Sequence, residues 1–215
     1  SLTKVLVRIF EKFPEFNESI KIYLYEKSDL LKNTQKNKIR SSKVKWINNF
    51  DLINKGPVIF FGNEFFDAIP IKQFSYFKKK LFEKFYILNS ETGLNETYRV
   101  ATKEDVLKIK SFKVYNNLNF IEYPKLGFIE LEKIVKKISK LSGGVLLIDY
   151  GYLNTVNRST LQAVMENKKM NINSLLKNLG KADITYLVNF GLLEEFFTKK
   201  NLKVKNIVSQ KFFLE

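Results

Sequence analysis

Apolar and polar residues alternate along the first part of the chain in a way that predicts helices and strands in turn. Residues 1–13 carry apolar side chains at helical spacing, with Ser1 as a possible cap and Pro14 ending the helix. The elements expected next are a strand at 20–26, a helix capped by Ser28 that reaches about Ile39, and strands at 44–47 and 57–61. This alternation predicts a parallel sheet with helices on its faces.

The pattern changes after residue 70. Strands at 72–77 and 81–88 are expected to form a hairpin around the run of lysines 78–80, followed by strands at 98–101 and 112–122. These segments predict an antiparallel insertion in the α/β core. The chain is therefore divided into a first part of the core (1–70), a β-rich insertion (71–125) and a second part of the core (126–215).

The last third returns to helix and strand. A strongly amphipathic helix is predicted at 128–141, ending at Gly143 and Gly144, and an apolar strand at 145–148. The remaining expectations are a short helix at 160–168, irregular chain at 171–183, a helix capped by Asn189, and terminal strands at 203–208 and 212–214.

Composition restricts the possible chemistry. The 215 residues contain no cysteine and no histidine. Disulfides, thiolate nucleophiles, histidine acid–base catalysis and most zinc sites are therefore excluded, and no metal site is expected. Any chemistry must use carboxylates, hydroxyls, tyrosine, lysine, asparagine or a bound cofactor. The apolar fraction of 45% is enough for a substantial core.

The formal charge of +15 allows two interpretations. One is a surface for nucleic acid or anionic membrane. The other is compositional bias, since Lys, Asn, Ile, Phe and Tyr are all abundant. The second is favoured because the basic residues are scattered and only lysines 78–80 form a run, so nucleic-acid binding is not expected. No apolar run approaches the roughly 20 residues of a membrane span, and the N-terminus has no signal-peptide pattern.

Three polar clusters follow predicted parallel strands, where open α/β sheets bind ligands. They are Glu26, the group Asn63, Glu64 and Asp67, and the pair Asp149 and Tyr150. Each has a structural alternative. Glu26 could be a solvated strand end or a ribose ligand. Glu64 and Asp67, if on one helical turn, could bind a cation or satisfy backbone N–H groups. Asp149 and Tyr150 could simply belong to a tight turn. Gly143 and Gly144 precede a strand, which is the wrong context for a phosphate-binding loop.

The amino-acid sequences of these motifs resemble those of a known family. NEFFDAIPIKQF (63–74) is similar to the signature of MidA-type methyltransferases, class I S-adenosylmethionine-dependent enzymes related to a mitochondrial assembly factor of respiratory complex I. Matches in the same order are FPEF (13–16), YEKSDLLKNTQ (25–35), Trp46, LLIDYGY (146–152), STLQAV (159–164), KADITYLVNF (181–190) and the final SQKFFLE.

This resemblance implies a Rossmann-like α/β methyltransferase sheet with an inserted antiparallel substrate region. It implies S-adenosyl-L-methionine as cofactor and a protein arginine as methyl acceptor, with a respiratory complex I subunit as one candidate substrate. It also implies a location in the bacterial cytoplasm or an organellar matrix. Glu26 would hold the cofactor ribose and Asn63 would border the cofactor. Asn63, Glu64 and Asp67 would line the transfer pocket, and Asp149 and Tyr150 its substrate side.

The chain also departs from the family pattern. The first strand and glycine-rich loop of the family would lie before Ser1, and the family continues past the final FFLE, which predicts truncation at both ends. Positions that usually hold Asp or His are occupied by Ser159, Asn167, Leu187 and Asn189. The alternative to an enzyme is therefore a non-catalytic remnant that acts at most as a binding module.

Overall fold

A computed structural model describes residues 2–91, 93–166, 168–170 and 180–215. Three sequence expectations fall outside these ranges: the Ser1 cap, the departure at Asn167 and most of the irregular segment 171–183. The chain separates into two compact units, residues 1–56 and residues 57–215. The division at residues 70 and 125 stays a prediction.

The first unit is a small α/β assembly. Its elements are α1 (Leu2–Phe10), α2 (Pro14–Ser19), β1 (Ile22–Tyr25), α3 (Asp29–Ile39) and β2 (Val44–Ile47). β1 and β2 pair in parallel, from Ile22 opposite Val44 to Tyr25 opposite Ile47. The core consists of Val7, Ile39 and Val44, with Ile22, Leu24 and Trp46 packed against it.

Local capping explains how the helices of this unit begin and end. The Ser28 hydroxyl accepts a hydrogen bond from the Leu31 N–H and starts α3, and Arg40 ends it in the left-handed conformation at φ 49°. The first helix ends at Phe10, three residues earlier than predicted, so Pro14 does not end it directly. Pro14 occupies the first turn of α2, where its missing N–H has no helical partner to lose.

In the described part of the second unit, the strands form four groups. β3 (Val58–Asn63) pairs in parallel with β8 (Gly143–Ile148). A four-stranded antiparallel sheet has the order β6 (Gly93–Val100), β5 (Lys80–Asn89), β4 (Lys72–Phe77), β7 (Phe120–Tyr123). β9 (Gly151–Tyr152) pairs with β13 (Val188–Asn189), and β10 (Gln162–Met165) lies between β11 (Lys168–Met170) and β12 (Asp183–Thr185). The expected antiparallel insertion is therefore present.

Helices complete this unit. They are α4 (Lys103–Lys110), a short 3-10 helix (Lys113–Tyr115), α5 (Lys125–Leu141), α6 (Phe190–Lys199) and α7 (Gln210–Leu214). Three aromatic rings stack between these helices. The ring centroids of Phe112 and Phe128 are 5.3 Å apart, and those of Phe128 and Phe196 are 4.6 Å apart. α5 approaches the turn after β3 so closely that a Cβ on Gly127 would lie 2.9 Å from the Phe66 ring. Phe66 is therefore anchored in the core with 1% of its surface exposed.

Several element predictions are wrong. The predicted helix at 160–168 is β10 followed by β11, which pair with each other. The predicted strand at 112–122 is a 3-10 helix followed by the shorter β7, and α4 was not predicted. The terminal strands are also wrong: the described chain at 203–208 has no regular structure, and 210–214 is α7, which the Ser209 hydroxyl caps.

One physical reason accounts for the errors that concern strands. Strand formation depends on hydrogen bonds to distant residues, which the local pattern does not contain, whereas helices bond within four residues. Predictions that rested on a local cap or a long periodic pattern are confirmed. Examples are α3 with its Ser28 cap, α5, and α6 with Asn189 accepting from the Leu192 N–H.

Candidate functional site

Asp149 organises the turn that follows β3. Its Oδ2 accepts hydrogen bonds from the backbone N–H groups of Phe65 (3.1 Å), Phe66 (2.8 Å) and Asp67 (3.4 Å). Its Oδ1 accepts from the Tyr150 N–H at 3.0 Å. A carboxylate satisfies several N–H donors that have no strand partner here. The ends of β3 and β8 are therefore joined by a side chain as well as by their ladder.

Glu64 and Asp67 do not lie on one helical turn, which was the condition for their sharing a helix face. Residues 64–69 form a bend and turn, closed by a hydrogen bond from the Ile69 N–H to the Phe66 carbonyl. Glu64 takes a left-handed conformation with φ 48°, while its N–H remains bonded to the Ile148 carbonyl. The hydrogen bonds from the N–H groups of residues 65–67 to Asp149 stabilise this turn.

Three carboxylates nevertheless converge at this turn. Burial raises the pKa of Asp67 above its ordinary 3.8, and the nearby charges of Asp149 and Glu64 raise it further. Burial also raises the pKa of Asp149, and the backbone N–H groups of Phe66 and its neighbours only partly counteract it. The site is therefore a patch of concentrated negative charge in a strongly basic chain.

The two other predicted residues of this group lie at its exposed margin. Asn63 is the last residue of β3, opposite Ile148, and is exposed. The Tyr150 side chain is 63% exposed. The structure thus places Asn63, Glu64, Asp67, Asp149 and Tyr150 at one end of the β3–β8 pair.

Glu26 lies in the first unit, directly after β1. Its N–H donates to the Ile47 carbonyl, which extends the pairing with β2 by one residue. Its Oε1 accepts from the Ser28 N–H at 2.9 Å and its Oε2 from the Gln35 side-chain amide at 2.9 Å. A carboxylate has about four lone-pair directions, so each oxygen keeps one free. The Glu26 carboxylate can therefore accept a further hydrogen bond on each oxygen.

Glu122 is a buried acid that the sequence reasoning missed. It is 9% exposed and accepts hydrogen bonds from the Gln73 side-chain amide (2.8 Å) and from the N–H and hydroxyl of Thr160. The Thr160 hydroxyl in turn accepts from the Leu187 N–H. The sequence signal was a single acid inside the apolar strand FIEY, which β-strand patterning alone does not explain.

Tyr186 connects this network to the carboxylate turn. Its N–H donates to the Asp67 carbonyl at 3.2 Å. Its hydroxyl is buried and has no hydrogen-bond partner among the described residues. Tyr186 also borders a cavity of about 10 Å³, together with Phe66, Glu122 and Tyr152. Burial, followed by the charges of Asp149 and Glu122, raises the pKa of the Tyr186 phenol well above 10. Tyr186 therefore stays protonated and neutral.

Three of the positions that depart from the family pattern have structural roles. The Ser159 hydroxyl accepts from the Gln73 amide, the Leu187 backbone bonds to Thr160, and the Asn189 side chain caps α6. They lie in the segments that pack beside the carboxylate turn. Within the described ranges, no helix is long and apolar enough to cross a membrane.

Comparisons with known proteins identify the fold to which this α/β framework belongs. The chain is similar in structure to a COG1565 superfamily member from Burkholderia thailandensis bound to S-adenosyl-homocysteine, with a TM-score of 0.65 and 16% identity over 84% of this chain and 48% of that one. A native structure described as an uncharacterized COG1565 superfamily protein from the same organism gives a TM-score of 0.66 and 15% identity, covering 84% of this chain and 50% of that one. The predicted class I methyltransferase-like fold is thereby confirmed.

Sequence comparison shows the family. Residues 1–208 match a family of S-adenosyl-L-methionine-dependent methyltransferases, and the chain belongs to it. S-adenosyl-L-methionine is the cofactor of this family, as the sequence predicted.

Curated relatives share the match. The chain is 29% identical to the protein arginine methyltransferase NDUFAF7 homolog, mitochondrial, of Caenorhabditis elegans, over 83% of this chain and 42% of the relative. It is 21% identical to the mitochondrial protein arginine methyltransferase NDUFAF7 of Xenopus tropicalis, over 90% of this chain and 50% of the relative. The chain thus spans about half the length of the curated relatives it matches.

Proposed function

We propose that this chain is an S-adenosyl-L-methionine-dependent methyltransferase that modifies arginine in a protein substrate. The observation that carries the proposal is the convergence of Glu64, Asp67 and Asp149 at one turn, where burial first and then the charges of Asp149 and Glu64 raise the pKa of Asp67. Bringing a cation to this turn would relieve that repulsion. The names of the relatives, which are protein arginine methyltransferases, support the same acceptor.

Arginine suits this arrangement for chemical reasons. Its guanidinium is always protonated and presents a planar set of N–H donors, so it pairs with carboxylates through two parallel hydrogen bonds. Asp149 directs Oδ2 toward the backbone of the turn, which leaves Glu64 and Asp67 as the acceptors for the guanidinium. Asn63 and the exposed Tyr150 border the same end of the strands and would contact the adjoining substrate chain.

The cofactor supplies an electrophilic methyl group when it is bound. In this chain Glu26 would hold the ribose hydroxyls through the free lone pairs of its two oxygens. A nitrogen that gains a methyl group must release a proton, and a carboxylate with a raised pKa is the better acceptor for it. Asp67 therefore has the properties of the base, while Glu64 orients the guanidinium.

Partner and location follow from the relatives only by analogy. We infer a protein substrate with an exposed arginine, and a respiratory complex I subunit is the candidate that the family resemblance suggests. The corresponding locations are the bacterial cytoplasm or an organellar matrix. The two curated relatives described above are named as mitochondrial proteins.

Calorimetry and a transfer assay test the proposal. S-adenosyl-homocysteine is titrated into the 215-residue chain, and radiolabelled S-adenosyl-L-methionine is then supplied together with a complex I preparation. Recovery of label as methylarginine after acid hydrolysis supports the function, and Asp67→Asn should abolish it while Asp51→Asn, at an exposed position, should not. A chain that neither binds S-adenosyl-homocysteine nor transfers label would instead be a non-catalytic member of the family.

A further inference from the structure

Trp46, Gln35 and Glu26 form a continuous chain of hydrogen bonds within the first unit. The Trp46 indole Nε1–H donates to Gln35 Oε1 at 2.9 Å, and Gln35 Nε2 donates to Glu26 Oε2 at 2.9 Å. The three residues come from three elements: Trp46 from β2, Gln35 from α3, and Glu26 from the end of β1. A link of this kind fixes the carboxylate relative to both the sheet and the helix.

The direction of this chain is determined by the chemistry of its ends. An indole nitrogen can only donate, and an ionised carboxylate can only accept. The Gln35 amide between them therefore has one usable orientation, with its oxygen toward Trp46 and its NH₂ group toward Glu26. The second oxygen of Glu26 is held independently by the Ser28 N–H at 2.9 Å. Both oxygens are thus bonded from the protein, so the plane of the carboxylate is set.

We propose that Gln35 is the positioning residue that holds the Glu26 carboxylate ready for a vicinal diol such as a ribose. This inference rests on the proposed function, since it concerns the same cofactor. Glutamate has three rotatable side-chain bonds, and freezing them before the ligand arrives reduces the entropy that binding must overcome. Gln35 acts through Glu26 and needs no contact with the cofactor itself.

Trp46 gives the arrangement its rigidity. It is half-buried and packs against the core of Val7, Ile39 and Val44. Ile39 lies one helical turn after Gln35 on α3, so the same helix that carries the amide is anchored in that core. Sites supported by packed helices and strands hold their geometry better than sites on loops.

The same chain of hydrogen bonds allows Trp46 to report ligand binding at Glu26. It is the only tryptophan in the sequence, so its fluorescence and its indole N–H resonance are each a single signal. Because its hydrogen bond leads through Gln35 to Glu26, a ligand that binds Glu26 should change both signals.

Two matched substitutions on α3 test the inference. Gln35→Glu keeps the size and the acceptor for Trp46 but replaces the donor to Glu26 with a second negative charge. Asn33→Asp makes the same amide-to-acid change at an exposed position two residues away. With circular dichroism confirming that each variant is folded, Gln35→Glu should weaken S-adenosyl-homocysteine binding by about 10- to 100-fold, as expected for a lost hydrogen bond to a charged group. Asn33→Asp should stay within about twofold of the unmodified chain.

A double substitution separates positioning from a purely structural role. The double variant Glu26→Gln, Gln35→Glu again has one amide and one carboxylate in contact. The urea midpoint, which is expected to fall in Gln35→Glu, should therefore return to that of the unmodified chain. Affinity for S-adenosyl-homocysteine should remain weak, because the charged acceptor has moved away from the strand end. Recovery of affinity together with stability would show that the pair only holds the fold and would overturn the inference.

The remaining outcomes are distinguishable. If the unmodified chain binds S-adenosyl-homocysteine and Gln35→Glu binds it as tightly as Asn33→Asp does, the inference is wrong and the proposed function stands. Calorimetric binding without any change in the Trp46 indole resonance contradicts the inference in the same way. If the unmodified chain does not bind S-adenosyl-homocysteine, the proposed function and the inference both fail.

Discussion

The Asp149 carboxylate and the Phe66 N–H, 83 positions apart in the chain, are joined by a 2.8 Å hydrogen bond. The residues on either side of Phe66 bond to the same oxygen. One side chain at the end of β8 therefore determines the backbone conformation of the turn that carries Glu64 and Asp67. The geometry of the candidate acceptor site depends on a residue that would not need to touch the acceptor.

Asp149→Ala should unfold more readily than the unmodified chain. Removing the acceptor leaves the partly buried N–H groups of Phe65 and Phe66 without a partner, which costs about 2 kcal/mol. Urea denaturation followed by circular dichroism measures the change, with Asp51→Ala at an exposed position as the control. Equal losses for the two variants would show that Asp149 does not organise the turn.

The contact between β3 and β8 gives a second prediction. Gly143 has φ +125°, and a Cβ there would lie 1.8 Å from the Val58 carbonyl oxygen, whereas a Cβ on Gly144 would have no atom within 4 Å. Gly143→Ala should therefore separate the ends of the strands and destabilise the second unit by about 3 kcal/mol or more. Gly144→Ala is the matched control and should change the thermal midpoint little. Similar midpoints for the two variants would contradict the register.

The environment of Asp105 leads us to expect that the free energy of unfolding depends on pH. The side chain is fully buried and bonds to Lys72 Nζ at 2.8 Å and Lys125 Nζ at 3.0 Å. Burial alone would raise the pKa of Asp105, but hydrogen bonds from Lys72, Lys125 and Thr102 outweigh it and lower the pKa below 3.8. The unfolded chain then binds the proton more readily than the folded chain, so stability falls as the pH drops below about 4.

Comparing the unmodified chain with Asp105→Asn separates the contribution of Asp105 to the pH dependence of stability from the contributions of other carboxylates. Asp67 and Asp149 have raised pKa values, so their protonation favours the folded state in the same acidic range and opposes the effect of Asp105. Urea denaturation between pH 3 and pH 6 should show the stability advantage of the unmodified chain over Asp105→Asn shrinking as the pH falls. A difference that stays constant with pH would disprove the assignment.

Glu64 contributes to the electrostatics of the carboxylate turn. Its charge is one of the causes that raise the pKa of Asp67, after burial and Asp149. Glu64→Gln should therefore lower the pKa of Asp67 toward 3.8 without restoring it fully. A carboxyl-carbon NMR titration measures the shift, and Glu91→Gln, at an exposed position outside the turn, is the control. An unchanged pKa of Asp67 in Glu64→Gln would mean that the two carboxylates do not interact.

Local signals predicted part of the molecule. The Ser28 cap started α3 and the Asn189 cap started α6, because both hydrogen bonds close within three residues. α4 has a similar cap, in which Thr102 accepts from the Asp105 N–H, but its stripe of apolar residues is too short to be recognised. The hairpin of β4 and β5 was also predicted, from two β-rich runs on either side of the lysine run. In the structure, Lys78 and Lys79 at its tip take the left-handed conformations of a tight turn.

The sequence by itself determined the family, the α/β alternation and the location of acidic residues at strand ends, because these depend on composition, local periodicity and a long motif. Only the tertiary structure decided that Asp149 binds the 65–67 turn, that Glu122 joins β7 to Thr160, and that Gln35 links Trp46 to Glu26. Each of these hydrogen bonds joins residues 9 to 83 positions apart, and their partners are brought together only when the strands and helices have packed.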